Sequence, residues 1–357
     1  MRIRRGHWIA FAAVVLAVVM VGTVLSTQLF DNSRQAIPQR PVHPGPRTVV
    51  SMGDSTISGE GAGSYSPDTD GRRVDWCHRS SKAEINELRL PETQRVVNLA
   101  CSGANAEQVA LGEAKQYTEP SQAGQLAALA MRNNITTIVV GVGANDDPQF
   151  GHTISACFQQ WLSRGKGCTV GFDAPWRERV RKMVPKVVGT LRDIRTVMRK
   201  AHYSDGDYQL VLQSYAAPVG PGIPENLRGL AGCPFLERDL RWFVDTGVEA
   251  LADGVRDAAR QVGARYLDLS RAGRGHEACT GGNDKAKEWF TRLSVRWDDL
   301  GDSQRAEHAL QESFHPNAAG YAQFAGCLRE FLARDDRAAA CLAGADGALH
   351  PAATSYG

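Results

Sequence analysis

Five short apolar runs constrain the fold of this chain more than any other feature of its sequence. They are rich in Val, Ile and Leu, and they do not alternate cleanly with polar residues. Strands that are buried on both faces of a parallel sheet have this pattern. The five predicted strands are Thr48–Met52, Val96–Ala100, Thr136–Gly141, Tyr208–Gln213 and Arg265–Leu269.

Helical patterns lie between and after these runs. Apolar residues recur at spacings of three and four over 180–198, 240–255 and 321–332, as on one face of an α-helix. Strands that alternate with helices predict an α/β fold, with a five-stranded parallel sheet covered by helices on both sides. Ligands bind such sheets at the carboxyl ends of the strands, so the residues that follow each strand are the first candidates for function.

The N-terminus has the features of an export segment. Arg2, Arg4 and Arg5 precede an uncharged stretch from Trp8 to Phe30, and positive charge of this kind keeps that end in the cytoplasm. An apolar run of about 20 residues can span a bilayer, whereas a cleavable signal has a shorter apolar region and a cleavage site of small residues. An uncleaved anchor and a cleaved signal peptide both place the remainder on the extracellular side of the membrane or in the medium. A buried core helix is the third interpretation.

Composition divides the rest of the chain. Four prolines between residues 31 and 47 favour an extended linker. Residues 48–333 hold all the predicted strands and form the expected folded domain. Residues 334–357 are rich in Ala and Asp and are expected to form a surface tail.

Eight cysteines in an exported chain suggest disulfides. The sequence alone leaves roughly a hundred possible pairings, and pairing each cysteine with the next along the chain is the simplest. A zinc site is disfavoured because no C-x-x-C motif occurs. The sequential pairs are Cys77 with Cys101, Cys157 with Cys168, Cys233 with Cys279, and Cys327 with Cys341.

A serine follows the first predicted strand within Gly53-Asp54-Ser55. The strand end lifts Ser55 toward the crevice, but a serine hydroxyl is a weak nucleophile that needs a nearby base. Gly, Asp and Ser are also ordinary turn residues, so a turn in which Ser55 only caps a helix is the alternative. The Gly-x-Ser-x-Gly elbow of α/β-hydrolases is absent.

Two potential donors follow the next two strands. The backbone N–H of Gly103 and the side-chain amide of Asn145 could each stabilise an oxyanion. A plain turn at Gly103 and an Asx turn or helix cap at Asn145 are the structural alternatives. The glycines nearby do not complete the Gly-x-Gly-x-x-Gly dinucleotide motif.

A histidine stands just before the last helical pattern, in Phe314-His315-Pro316-Asn317. Its ordinary pKa near 6.5 suits it to general base catalysis. A lone histidine is more often structural, so His315 gains weight only in combination with the other motifs.

Together these segments resemble the GDSL/SGNH hydrolase family, and their details resemble its exported actinobacterial esterase and lipase branch. The family is named for Ser, Gly, Asn and His in four ordered blocks, matched here by Ser55, Gly103, Asn145 and His315 over roughly residues 48–333. The resemblance implies a three-layer α/β/α sandwich of flavodoxin-like type. It also implies that Ser55 is the nucleophile, that His315 is the base, and that the Ser55 and Gly103 N–H groups form the oxyanion hole with Asn145.

One position departs from the family pattern. An Asp commonly stands three residues before the catalytic His, and here the residue is Glu312. We expect its carboxylate to orient His315, with its backbone carbonyl as the alternative.

The resemblance predicts a serine esterase or lipase that hydrolyses carboxylic esters through an acyl-enzyme and needs no metal or organic cofactor. The alternatives are an acyltransferase or deacetylase of envelope glycans, and a non-catalytic envelope-binding protein. The expected partners are a small-molecule or lipid ester and, through the N-terminal segment, the membrane. A net charge of +2 without a basic block argues against nucleic-acid binding, and we expect a monomer.

Overall fold

The computed structural model describes residues 43–297, 299, 305 and 308–354. The predicted anchor or signal at 1–30 and most of the predicted linker lie outside these residues. Among the described helices, none is long and apolar enough to cross a membrane.

A central sheet carries the described part of the chain. All five predicted strands are confirmed, and β1 is buried along nearly its whole length, with Val50 and Met52 fully inaccessible to solvent. The strand order is β2-β1-β3-β4-β5-β6-β7; β7 runs antiparallel to β6, and all other neighbours are parallel. The strands are β1 (Arg47–Gly53), β2 (Arg95–Asn98), β3 (Asn134–Gly141), β4 (Gln209–Gln213), β5 (Arg265–Asp268), β6 (Ala338–Ala343) and β7 (Leu349–Ala353).

The predicted tail is wrong, and so is the predicted number of strands. The described sheet has seven strands rather than five, because the segment after residue 334 supplies β6 and β7. The β6 sequence is mostly alanine, a residue of low strand propensity, and Pro351 interrupts β7. Pro351 has no backbone N–H to donate. It is tolerated because β7 is an edge strand, which is hydrogen-bonded to a neighbouring strand on one side only.

Helices flank the sheet, and the predicted three-layer α/β/α architecture is confirmed. The long α6 packs against α4 and α8, and α9 packs against α2. The helical pattern over 240–255 is confirmed as α7 and α8, joined by one π-helical turn at Phe243–Gly247. The α-helices are α1 (Ser55–Ser58), α2 (Glu84–Glu87), α3 (Ala106–Val109), α4 (Gln122–Ala130), α5 (Phe150–Leu162), α6 (Asp173–Lys200), α7 (Glu237–Trp242), α8 (Val248–Val262) and α9 (Ala318–Leu332). Short 3₁₀ turns lie at Glu225–Leu227 and Lys285–Lys287.

All eight cysteines form disulfides, and the sequential pairing is confirmed. The Cys157–Cys168 bridge fastens α5 to the loop that follows it. The Cys327–Cys341 bridge joins α9 to β6. Four disulfides fit a protein that folds in an oxidising compartment.

Candidate active site

The first motif turns sharply where β1 ends. Gly53 has a φ of +137°, and a Cβ at this position would lie 1.9 Å from the Gly141 carbonyl oxygen of β3, so only glycine fits. The Asp54 carboxylate accepts a hydrogen bond from the Thr56 N–H at 3.1 Å and caps α1. Ser55 is therefore the first residue of a short helix at the carboxyl edge of the sheet.

The histidine meets this serine as the sequence predicts. His315 Nε2 lies 2.8 Å from Ser55 Oγ, close enough for proton transfer. The loop that carries His315 ends two residues later, where the Asn317 side chain accepts hydrogen bonds from the Ala319 and Gly320 N–H groups and caps α9. The helix thus begins at a fixed place immediately after the histidine.

Three hydrogen-bond donors, one of them from Ser55 itself, line the cavity at the serine hydroxyl. Within the described part of the chain, the backbone N–H groups of Ser55 and Gly103 have no acceptor. The Asn145 amide donates one hydrogen bond to the Ala104 carbonyl at 3.0 Å and has a second N–H to offer. All three residues line the cavity, so the structure brings together the four residues that the sequence motifs selected.

Buried polar contacts, which the sequence motifs did not identify, join the three strand ends. The Ala106 N–H donates to the Asp146 carboxylate at 3.0 Å and so ties the Gly103 segment to the Asn145 segment. Burial raises the pKa of Asp146 to about 6, against the opposing effects of this hydrogen bond and of Lys186.

A tyrosine makes the corresponding link between β1 and β3. The Tyr215 hydroxyl donates to the Asp54 carboxylate at 2.6 Å and accepts from the Ala144 N–H at 3.2 Å. Burial raises the pKa of Asp54 to about 6, although hydrogen bonds from Tyr215 and Thr56 oppose it. The available signal for Tyr215 was its place just after the fourth predicted strand.

The predicted contact between the Glu312 carboxylate and His315 is wrong. His315 Nδ1 is buried and has no hydrogen-bond partner among the described residues, while the Glu312 carboxylate lies near enough to Tyr65 to raise the pKa of that hydroxyl. Burial lowers the pKa of His315, and the negative charge of Glu60 and the carbonyls of Ser313 and Gln311 oppose that shift. The backbone carbonyls that act on the His315 pKa thus belong to Ser313 and Gln311 rather than to Glu312.

A buried acid and histidine, also not identified from the sequence, lie beside this loop. Glu60 and His78 are both fully inaccessible to solvent, and His78 Nδ1 lies 2.8 Å from Glu60 Oε1. Glu60 belongs to the Gly-rich segment after Ser55, and His78 is next to Cys77. Neither position belongs to a periodic pattern, so the sequence offered only their nearness to two motifs.

The cavity above Ser55 has a volume of about 570 Å³ and a largely apolar wall. One side of it comes from a single face of α5, whose residues at spacings of four point inward. Other apolar side chains come from the loops after β5 and from α9. The principal apolar lining residues are Phe150, Ile154, Phe158, Leu269, Phe290 and Phe324.

Two clusters of potential metal ligands occur in the described residues. One joins Asp75 to Cys77 and Cys101, and the other joins Asp239 to Cys157 and Cys168. In each cluster the two sulfurs are bonded to each other, so neither can serve as a thiolate ligand.

Comparison with known proteins agrees with the geometry. Residues 51–323 match the model of the GDSL-like Lipase/Acylhydrolase family. Lipase 2 of Streptomyces coelicolor is 26% identical over 311 residues, which cover 84% of this chain and 97% of that protein. Lipase 1 of the same organism is 25% identical over 273 residues, covering 76% and 81%. The crystal structure of an extracellular lipase from Streptomyces rimosus has 20% sequence identity and a TM-score of 0.49, covering 77% of this chain and 94% of that one.

Proposed function

This chain belongs to the GDSL-like Lipase/Acylhydrolase family and is a carboxylic ester hydrolase, and on that premise we propose that Ser55 is its nucleophile and His315 its general base. The 2.8 Å contact between His315 Nε2 and Ser55 Oγ carries this proposal. With Nε2 accepting the serine proton, Nδ1 holds the other proton, and the nearby backbone carbonyls of Ser313 and Gln311 favour the protonated ring by raising its pKa.

The reaction follows the acyl-enzyme course. His315 takes the hydroxyl proton while Ser55 Oγ attacks the ester carbonyl, and the carbonyl oxygen becomes an oxyanion. The N–H groups of Ser55 and Gly103 and the Asn145 amide donate to that oxyanion. His315 then gives the proton to the leaving alcohol, and a water molecule activated by His315 hydrolyses the acyl-enzyme.

We assign the apolar cavity to the acyl chain. The inward face of α5, with Ile154 and Phe158, offers an apolar surface longer than an acetyl group needs. Each additional buried methylene contributes about 0.8 kcal/mol, or roughly fourfold in kcat/KM. This wall favours esters of longer acyl chains over acetyl esters.

We place the enzyme outside the cytoplasm, either secreted or held by its N-terminal segment on the extracellular side of the membrane. The four disulfides support export, and the charged and then apolar N-terminus supports it independently. Fractionation of expressing cells, with an antibody against the folded domain, distinguishes the two: an anchored form stays with membranes after a high-salt wash, and a cleaved form appears in the medium.

Two measurements on purified protein test the reaction. Ser55→Ala should lower kcat by about 10³-fold or more, and a fluorophosphonate should label the wild type at Ser55 but leave the variant unlabelled. Activity of the variant above about a tenth of wild type would refute the nucleophile.

A series of p-nitrophenyl esters from acetyl to decanoyl tests the pocket. We expect kcat/KM to rise with the first several methylenes and to fall once the chain exceeds the cavity. A maximum at acetyl would refute the acyl assignment and favour a deacetylase. Repeating the assay with glucose or a glycan as competing acceptor measures any acyl transfer.

A further inference from the structure

The chain buries a carboxylate beside His315 for which the acyl-enzyme reaction has no direct use. Glu60 is fully inaccessible to solvent, as is His78, and His78 Nδ1 lies 2.8 Å from Glu60 Oε1 and 2.9 Å from Oε2. A buried charge is costly unless donors surround it, so the arrangement requires an explanation.

Donors from separate segments hold this carboxylate. Gln311 Nε2, on the loop that carries His315, donates to Glu60 Oε2 at 2.7 Å. The Tyr65 hydroxyl lies 3.4 Å from Oε1, and the nearby Ser102 side chain helps to lower the pKa of Glu60. Burial raises the pKa of Glu60, but the His78 hydrogen bond and these other contacts outweigh it and leave the pKa below its ordinary value. Glu60 is therefore an anion at neutral pH.

The backbone next to Glu60 packs directly on the histidine. Gly61 has a φ of +84°, and a Cβ there would lie 2.9 Å from the Cβ of His315 and 2.8 Å from the Pro316 carbonyl oxygen. A side chain at position 61 would thus push the two segments apart. Glycine lets the carboxylate-bearing segment and the histidine loop lie in contact.

The backbone of His78 is held in an unfavourable conformation at this place. Its φ of +48° lies in the left-handed region, which a residue with a Cβ seldom adopts. The Cys77–Cys101 disulfide is next to His78 in the chain, and the His78 ring stacks on the Tyr65 ring with centroids 4.2 Å apart. Such conformations persist where the surroundings enforce them, and they concentrate at functional sites.

Other groups around His315 do not supply the same charge. The carboxylate of Glu312, on the same loop, acts on Tyr65 and raises the pKa of its hydroxyl. Tyr321 of α9 donates to the Glu60 backbone carbonyl at 2.9 Å, and Ser55 of α1 is the reaction partner. His78 lowers the pKa of His315, whereas Glu60 raises it.

We propose that Glu60 is a positioning residue that presents the negative charge opposite His315, in place of the carboxylate of a triad, with His78 and Gln311 holding it there. The inference rests on the proposed Ser55–His315 pair. As His315 takes the Ser55 proton it becomes an imidazolium, and an anion that is already fixed nearby stabilises that cation without reorganisation. Gln311 also links the anion to the loop that sets the position of the ring.

Glu60→Gln tests the proposal because it keeps the side-chain size and removes the charge. Burial lowers the pKa of His315, and without the anion less opposes that effect. The acid limb of the kcat/KM profile should therefore move to lower pH. At the alkaline plateau kcat should fall at least about tenfold, because the imidazolium loses its counter-charge. A folded variant with wild-type kcat and an unmoved acid limb would overturn the proposal.

His78→Gln provides a second variant, for which any shift of the acid limb is expected in the opposite direction. The glutamine still provides a donor for Glu60. It removes the histidine whose effect on the His315 pKa is opposite to that of Glu60, so the acid limb of this variant should stay in place or move to higher pH. General damage to the loop would instead move both profiles alike. If Glu60→Gln does not fold, His78→Gln carries the test, and an acid limb that moves to lower pH overturns the proposal.

Asp239→Asn is the matched control for loss of a buried carboxylate. Asp239 is fully inaccessible and accepts hydrogen bonds from Cys168 and Thr169, and it does not line the cavity. We expect a lower melting temperature with the acid limb unchanged. Ser55→Ala separates the two hypotheses: activity in that variant refutes the nucleophile, whereas a normal Glu60→Gln profile with an inactive Ser55→Ala refutes only the role of Glu60.

Discussion

Replacing Glu312 by Gln tests whether a side-chain carboxylate or the backbone orients His315. In a Ser-His-Asp triad the third residue fixes the imidazole tautomer and stabilises the imidazolium, and its change to an amide costs about 10⁴ in kcat, or roughly 5.5 kcal/mol. In this protein His315 Nδ1 is buried and makes no hydrogen bond with the Glu312 carboxylate, whereas the Ser313 and Gln311 carbonyls raise the pKa of His315.

The structure therefore predicts a small kinetic effect. Glu312→Gln leaves the two backbone carbonyls in place, so kcat should stay within about threefold of wild type, a barrier change of less than roughly 0.7 kcal/mol. The amide that replaces the carboxylate still offers an oxygen to the nearby Tyr65 hydroxyl, which is part-buried. The free energy of unfolding should therefore change by less than about 1 kcal/mol.

The assay is kcat for one p-nitrophenyl ester with wild type, Glu312→Gln and Glu312→Ala, together with urea unfolding of each. The Ala variant is the control for size, and both variants should remain near the wild-type rate. A loss of a hundredfold or more in both, in protein that is still folded, would mean that the carboxylate orients His315 in solution, and the backbone assignment would be wrong.

Three further predictions follow from the described contacts. Asn145→Ala should lower kcat by about 10²–10³ with little change in KM, and a rise in KM alone would make it a binding residue. Because burial lowers the pKa of His315 and the neutral ring is the base, kcat/KM should rise with pH through a midpoint below 6.5; a midpoint above 7 contradicts this. Tyr215→Phe removes the donor to Asp54 and the acceptor of the Ala144 N–H and should destabilise the fold by about 2–4 kcal/mol; urea unfolding measures it, and less than 1 kcal/mol would disagree.

The sequence was informative wherever the backbone alone fixes position. Ser55, Gly103 and Asn145 follow three neighbouring parallel strands, and the carboxyl ends of such strands meet at one edge whatever the side chains between them do. The five apolar runs predicted those strands, so the convergence of the three motifs followed from pattern and topology. His315 could be added because a capped helix begins directly after it.

The sequence was less informative where a side chain's direction decides the outcome. Glu312 stands at the expected spacing, but it lies on an irregular loop, and spacing there does not determine which way a carboxylate points. Glu60 and His78 form their pair across two loops and belong to no periodic pattern. The alanine-rich β6 carries little strand propensity of its own and becomes a strand by pairing with β5.

The β6–β7 hairpin has a consequence for how molecules of this protein behave toward each other in concentrated solution. Without it, β5 would present an open parallel edge, and unpaired edges of this kind recruit strands from other copies and start aggregation. The hairpin covers that edge and turns outward a strand interrupted by Pro351, which is a poor template for further pairing. A version of the protein that ended at residue 333 would lose this cover and also leave Cys327 without its partner Cys341, so it would combine an adhesive edge with a thiol free to cross-link neighbouring chains.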